Sequence, residues 1–204
     1  MKLLASPGSP YARKVRIVLA EKGIPCEYVI ARPSDPDSGV VNFNPLVKVP
    51  VLVRDDGRGL YDSSVIVDYV DGLTPAPKLI PVAFEDRIEV RRWEALGDGI
   101  AESTVEISHD LPHPPEKRRD EAWYAKHYRK IDNGLATMEK DVAGRTFCFG
   151  DSFTLADAAA GYALSYLDRV LPNVEWRKGH PNLAKLAERL FARPSFRDTL
   201  PPPV

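Results

Sequence analysis

Apolar positions along the chain follow two different rhythms. Up to Pro81 they come in short runs cut by proline and glycine; beyond it they recur at helical spacing over long stretches. Lys2 to Ala5 predicts a short buried strand, ended by a turn at Ser6-Pro7-Gly8. Ser9 then stands at a helix N-cap, with Pro10 at the first helical position, where a missing N–H costs nothing. Ala12, Val15, Val18 and Leu19 recur at helical spacing, and Arg13, Lys14 and Arg16 between them read as a polar face. Gly23 ends this helix and Pro25 prevents its return. Cys26 to Ile30 is a second strand, and residues 31–45 are loop with room for one helical turn at Val40-Val41. Val49 to Val53 is a third strand in which Pro50 belongs at the start or the edge. Asp55-Asp56-Gly57 predicts a hairpin turn into Arg58 to Tyr61. Asp62-Ser63 caps a further helix with Val65, Ile66, Tyr69 and Val70 as its apolar positions.

That order of strands and helices, in about 75 residues, is the plan of an α/β thioredoxin-like domain. Residues 73–81, with Pro75, Pro77 and Pro81, read as a linker. Between Val82 and Leu171 the only prolines are Pro112, Pro114 and Pro115, so 82–111 and 116–171 are free to form long helices. Trp93, Leu96 and Ile100 mark one of these, and Tyr124, Ile131, Leu135, Met138 and Val142 mark the next. Thr154-Leu155-Ala156-Asp157 is a capping box with Asp in place of Glu, opening a helix through Ala159, Tyr162, Ala163, Tyr166 and Val170. Pro181 to Arg193 gives a last helix. The expected division is therefore residues 1–77, an α/β domain, and residues 78–204, an all-α helical bundle.

Composition narrows the function. The 204 residues are 44% hydrophobic and 28% charged, ample for a core. Lys and Arg total 28 against 29 Asp and Glu, a net charge of −1 that gives no electrostatic case for nucleic acid or an anionic membrane. No apolar run reaches the length of a membrane span or a signal peptide, and a reduced, cytoplasmic compartment is expected. Cys26 and Cys148 match no metal or redox spacing and read as buried free thiols. None of His109, His113, His127 and His180 forms a ligand pair, so no metal is expected. Arg91-Arg92 and Lys117-Arg118-Arg119 read as short solvated charge runs. The 19 prolines, about twice the usual share, start helices, shape a loop and mark a boundary; only the Pro201–Pro203 tail has no reading.

Four segments in order, Ser9-Pro10-Tyr11-Ala12-Arg13-Lys14, Asn44-Pro45-Leu46-Val47-Lys48-Val49-Pro50-Val51-Leu52, Asp62-Ser63, and Gly150-Asp151-Ser152-Phe153-Thr154-Leu155-Ala156-Asp157, resemble the cytosolic glutathione S-transferase family. The second of them, with Glu94 to Ile100, is most similar to the bacterial YibF-like branch. Ser9 and Ala12 stand where related redox proteins carry cysteines, so thiol–disulfide exchange through Ser9 is excluded. Ser9 has two readings: a helix cap, or a hydroxyl that donates to a bound glutathione thiolate at the positive end of a helix. Ser6 is a second candidate for that contact.

The resemblance implies further roles. Pro50 would be the family's cis-proline, leaving Val49 to pair with the peptide backbone of glutathione as an added strand does. Asp62-Ser63, at a helix N-terminus, would hold the γ-glutamyl end, Ser63 its carboxylate and Asp62 its ammonium; the family more often has Glu at Asp62. Lys48 would meet the glycyl carboxylate, or is a solvated surface lysine. Asp98 would reach across a dimer interface to the partner's γ-glutamyl group, or is a solvated helix residue. Tyr11, Ile100 and Thr104 would wall a pocket for a small hydrophobic electrophile. The implied protein is a homodimeric glutathione transferase performing conjugation or dehalogenation, with glutathione as co-substrate. The alternatives are a glutathione-dependent disulfide or peroxide reductase, and a non-enzymatic adaptor like the stringent-starvation branch.

Overall fold

A computed structural model describes residues 1–201, so Pro202 and Pro203 of the tail lie outside the described residues. The chain divides into two compact units. One comprises Met1–Ile80 together with the described residues from Pro194; the other is Pro81–Arg193. The expected boundary at 77 falls just short of the observed one. The end of the chain, which the sequence reading gave to the helical domain, packs with the first unit instead.

In the first unit, strands β1 (Lys2–Ala5), β2 (Glu27–Ile30), β3 (Val51–Val53) and β4 (Gly59–Leu60) form one sheet in the order β2-β1-β3-β4. β1 and β2 are parallel, joined by helix α1 (Pro10–Glu21), while β1–β3 and β3–β4 are antiparallel. Helix α2 (Ser63–Leu73) follows β4. Leu3, Leu4 and Ala5 are all buried, as a central strand covered on both faces requires. Two features of the helices differ from the periodicity. Val65 is 47% exposed and Val67 is buried, because the turn begun at Asp62 aims Ser63, Ile66, Val67 and Val70 inward. Arg13 and Lys14, expected on a polar face, are 5% and 0% exposed. For Arg13 the reason is the end of the chain: helix α7 (Pro194–Arg197) and the residues after it lie on α1, where Arg13 donates to the Phe196 carbonyl at 3.1 Å.

The far ends of α1 and α2 meet at one buried ammonium. Lys22, which closes α1, donates to the Asp71 carbonyl (3.0 Å), Asp71 Oδ1 (3.2 Å), the Thr74 carbonyl (3.0 Å) and the Pro77 carbonyl (2.7 Å). These acceptors belong to the last turn of α2 and the linker beyond it. Helix C-termini carry unpaired carbonyls and partial negative charge, so a cation there is favoured twice over. Asp71 also accepts from the N–H groups of Leu79 (2.8 Å) and Ile80 (3.3 Å), and Lys78 lies 2.8 Å from its other oxygen.

The second unit is a bundle of α3 (Phe84–Asp110), α4 (Glu121–Val142), α5 (Leu155–Val170) and α6 (Pro181–Phe191). α3 approaches α5 so closely at Gly97 that a Cβ there would stand 2.6 Å from the Ala159 carbonyl oxygen. α3 is tied to α4 by Arg92, which donates to Glu89 and, at 2.6 Å, to Asp141, while Arg91 binds Glu94. The expected solvated run thus makes ion pairs. Asp157 completes the capping box of α5, accepting from the N–H groups of Cys148 (2.8 Å) and Thr154 (2.9 Å), and burial pushes its carboxyl up despite these bonds. Cys148 is buried and Cys26 half-buried, and both thiols are free. No helix of the described residues is long and apolar enough to cross a membrane.

Replacing Lys22 by Met strands its carboxylate and carbonyl partners in the interior. Chemical denaturation should show a loss of about 3–5 kcal/mol, against about 1 kcal/mol or less for Lys78→Met at the exposed partner. The Asp71 carboxyl is pushed up by burial, but hydrogen bonds from Lys78, the Leu79 N–H and Lys22 outweigh this and hold it below the ordinary 3.8. A folded pKa below the unfolded one adds stability that is complete above pH 3.8 and lost as the pH falls through the folded value. Melting temperatures measured across that acid range should therefore drop in the wild type and drop less steeply in Asp71→Asn.

Candidate functional site

Strand register gathers three chain segments at one end of the sheet. β1 runs into the Ser6–Ser9 turn, and Leu4 of β1 pairs with Val51, the first residue of β3. The Val49-Pro50 pair therefore lies beside the turn that leads into α1. β4 is antiparallel to β3, with Leu52 opposite Leu60, so its exit through Tyr61 into Asp62-Ser63 emerges at the same end. Ser9, Val49-Pro50 and Asp62-Ser63, far apart in sequence, belong to one edge.

Ser9 caps α1: its Oγ accepts from the Ala12 N–H at 3.2 Å, with Pro10 at the first helical position. That bond uses a lone pair and leaves the hydroxyl proton unused, so the two roles read for Ser9 are compatible. Ser6 is half-buried in the same turn and its carbonyl accepts from the Ser9 N–H at 3.0 Å. Tyr11 follows in the first turn, also half-buried.

The Val49–Pro50 peptide is cis, and so are Tyr61–Asp62 and Ala76–Pro77. Neither the N–H nor the C=O of Val49 has a hydrogen-bond partner among the described residues. The loop before it is built by Asn44, a residue to which the sequence reading gave no role. Asn44 is 2% exposed; its Oδ1 accepts from the Leu46 N–H at 3.0 Å and its Nδ2 donates to the Lys48 carbonyl at 2.9 Å. The Val47 N–H closes the turn onto the Asn44 carbonyl at 2.9 Å, holding Val47 at φ 51°. A β-branched residue in the left-handed region is strained, and strain of that kind persists only where neighbours over-determine it. The signal available in the sequence was Asn-Pro, a turn-initiating pair.

At the head of α2, Asp62 is the cap, its Oδ1 accepting from the Ser64 N–H at 2.9 Å. Ser63 is 4% exposed, and its hydroxyl has no partner among the described residues. Its N–H is among the first of the helix, where backbone donors are unpaired. Two unpaired donors at the positive end of a helix suit a carboxylate. Lys48 is exposed, with no ion pair among the described residues.

Three expected site residues lie in the helical unit. Asp98 is half-buried on α3 and accepts a hydrogen bond from the Tyr162 hydroxyl of α5. Ile100 and Thr104 are buried, Ile100 against Gly134 of α4, with Thr104 Oγ1 donating back to the Ile100 carbonyl at 2.8 Å. As they stand, neither offers a substrate an exposed surface, because the α3–α4 seam takes up the apolar side chain and α3 itself takes up the hydroxyl.

Two family models match the chain: glutathione S-transferase, N-terminal domain, over residues 3–78, and glutathione S-transferase, C-terminal domain, over residues 121–189. The GST-like protein YibF of Escherichia coli K12 is 37% identical over 204 residues, covering 99% of both chains. A glutathione S-transferase from Methylobacillus flagellatus, crystallised with GSH bound, superposes with a TM-score of 0.94 at 43% identity, over 98% of this chain and 99% of that one. One from Methylobacterium radiotolerans, in complex with glutathione sulfonate, gives 0.92 at 42%, over 98% and 94%.

Asn44→Ala removes both side-chain bonds that brace the loop. Unfolding free energy should fall by about 1–3 kcal/mol in denaturant titrations. Asn44→Asp, which keeps the acceptor for Leu46 and loses the donor to Lys48, should also be destabilised, because its carboxylate would face the Lys48 carbonyl.

Proposed function

The chain belongs to the glutathione S-transferase family, and on that premise we propose that it binds glutathione at this sheet end and ionises its thiol for attack on a small hydrophobic electrophile. The observation that carries the reading is the convergence of Ser9, Val49 and Ser63 on one edge, each with an unused hydrogen-bonding group suited to a different part of a tripeptide. The Val49 N–H and C=O suit a peptide backbone lying alongside as an extra strand. The Ser63 hydroxyl and N–H suit the γ-glutamyl carboxylate, with Asp62 beside it for the ammonium. Lys48 is the nearest free cation in sequence for the glycyl carboxylate.

The magnitudes are within reach of a single hydroxyl such as that of Ser9. A free cysteine thiol, with a pKa of about 8.5, is only a few per cent ionised at neutral pH. Lowering it by about two units takes about 2.7 kcal/mol. One hydrogen bond to a charged group supplies about 1.5–3 kcal/mol, and the N-terminus of α1 adds its own field. The capping bond to Ala12 fixes Oγ in place, so the donated proton needs no reorganisation when the thiolate forms. The reaction is then attack of the glutathione thiolate on an electrophilic carbon, with the leaving group departing as an anion. We read the active species as a homodimer on the family likeness; Asp98 has a partner inside its own bundle, so its contact across a dimer rests on that likeness alone.

Titration calorimetry with glutathione, and turnover of a generic aryl halide, test the reading. Ser9→Ala should lower kcat/KM about 10- to 100-fold with glutathione affinity little changed. Ser63→Ala should do the reverse, weakening glutathione about tenfold while the ionisation of the bound thiol stays as in the wild type. No binding at millimolar glutathione sinks the proposal, and a stoichiometric protein partner in its place would make the chain an adaptor. Turnover of glutathione disulfides far above that of aryl halides would move the chemistry from conjugation to reduction.

A further inference from the structure

We propose that Arg13, clamped by the end of the chain, is a positioning residue for Ser9; the inference rests on the role of Ser9 proposed above. Arg13 lies one turn into α1, and its backbone N–H donates to the Ser9 carbonyl at 3.1 Å. Its guanidinium is buried, donates to the Phe196 carbonyl at 3.1 Å, and stands 5.9 Å from the centre of the Phe196 ring. A turn later Arg16 donates to the carbonyls of Thr199 (3.1 Å) and Asp198 (3.3 Å) and lies over the Tyr28 ring at 4.7 Å. At the end of α1, Glu21 accepts from the Ser195 hydroxyl at 2.5 Å. Positions 13, 16 and 21 thus fasten the length of α1 to a single short segment, 195–199.

That segment is preformed to receive them. Its turn is closed by the Asp198 N–H on the Pro194 carbonyl (2.9 Å) and by the Thr199 hydroxyl on the Ser195 carbonyl (2.7 Å). The carbonyls of Asp198 and Thr199 receive Arg16, and the Phe196 carbonyl accepts from Arg13 as well as from the Thr199 hydroxyl at 3.3 Å. Apolar contact alone would anchor a chain terminus. A buried guanidinium is a costly way to do so, and what it adds is direction, since its planar fork accepts few geometries. Because the Arg13 N–H is bonded to the Ser9 carbonyl, a shift of Arg13 is a shift of Ser9. A hydroxyl that must meet a sulfur within a few tenths of an ångström tolerates little of that.

The test follows thiolate absorbance of bound glutathione against pH in the wild type, Arg13→Met, Arg13→Lys and Ser9→Ala, with calorimetry of S-methylglutathione, which has no thiol. In Arg13→Met the bound-thiol pKa should rise by about one unit, a tenfold fall in the thiol's ionisation constant, while S-methylglutathione affinity stays within about twofold. Arg13→Lys, which keeps the charge and loses the fork, should fall between. If Arg13→Met does not fold, Arg13→Lys decides by the same criteria. A wild-type thiol pKa in the Arg13 variants beside a raised one in Ser9→Ala overturns the clamp alone. S-methylglutathione affinity falling in step with the thiol also overturns it, by showing a general loss of the site. An unchanged thiol in Ser9→Ala overturns the role of Ser9, and the clamp with it.

Discussion

The Lys22 ammonium has no access to water, and a buried cation must be met by oxygen. Its acceptors come from the last turn of α2 and from the linker, so one side chain joins the tail of α1 to the tail of α2. The opposite ends of the same two helices carry Ser9 and Asp62-Ser63. A rotation of either helix about the sheet would separate those groups, and the Lys22 contacts resist it from the far side. Removing water from this pair is expensive, and the cost is offset by four oxygens within 3.2 Å of the ammonium. The arrangement separates the groups that fix the helices from those of the candidate site.

Apart from Asp62 and Lys48, the candidate site contains little charge. Its groups are a capping hydroxyl, an unpaired peptide unit and a second hydroxyl at a helix start, each held by backbone geometry. Groups of this kind need no reorganisation when a ligand arrives, which suits the proposed pairing with a tripeptide backbone. Proline shapes this end of the sheet: Pro10 ends the need for a donor at the first helical position, and Pro50, which has no N–H, stands just before β3.

Sequence periodicity located α1 and its cap but misjudged what lies outside it. Arg13, Lys14 and Arg16 fall between the apolar positions, and periodicity reports that they face away from the sheet, not whether anything covers them. Over Arg13 and Arg16 the cover comes from residues 195–199, after the last helix that the pattern predicts, in a segment too short to have a period. Val65 and Val67 show the same limit at finer scale: both are β-branched and adjacent to Ile66, and only the phase set at Asp62 chooses between them. Asn44 was visible within a motif, yet its two side-chain bonds join residues whose distance depends on the fold of the loop. Arg92 looked solvated because its second carboxylate, Asp141, lies on another helix.

The sequence by itself determined the local elements: a cap, a proline and a helix start are written in adjacent residues. Tertiary structure decided which of them share an edge, through the pairing of Leu4 with Val51 and of Leu52 with Leu60. It also decided that the end of the chain returns to the first unit and that Arg13 is buried there. The physical reason is the same in each case: a hydrogen bond or an ion pair between distant residues depends on where the backbone has been carried. One sequence records residue types and spacings, and those leave the meeting of distant side chains undetermined until the core has packed.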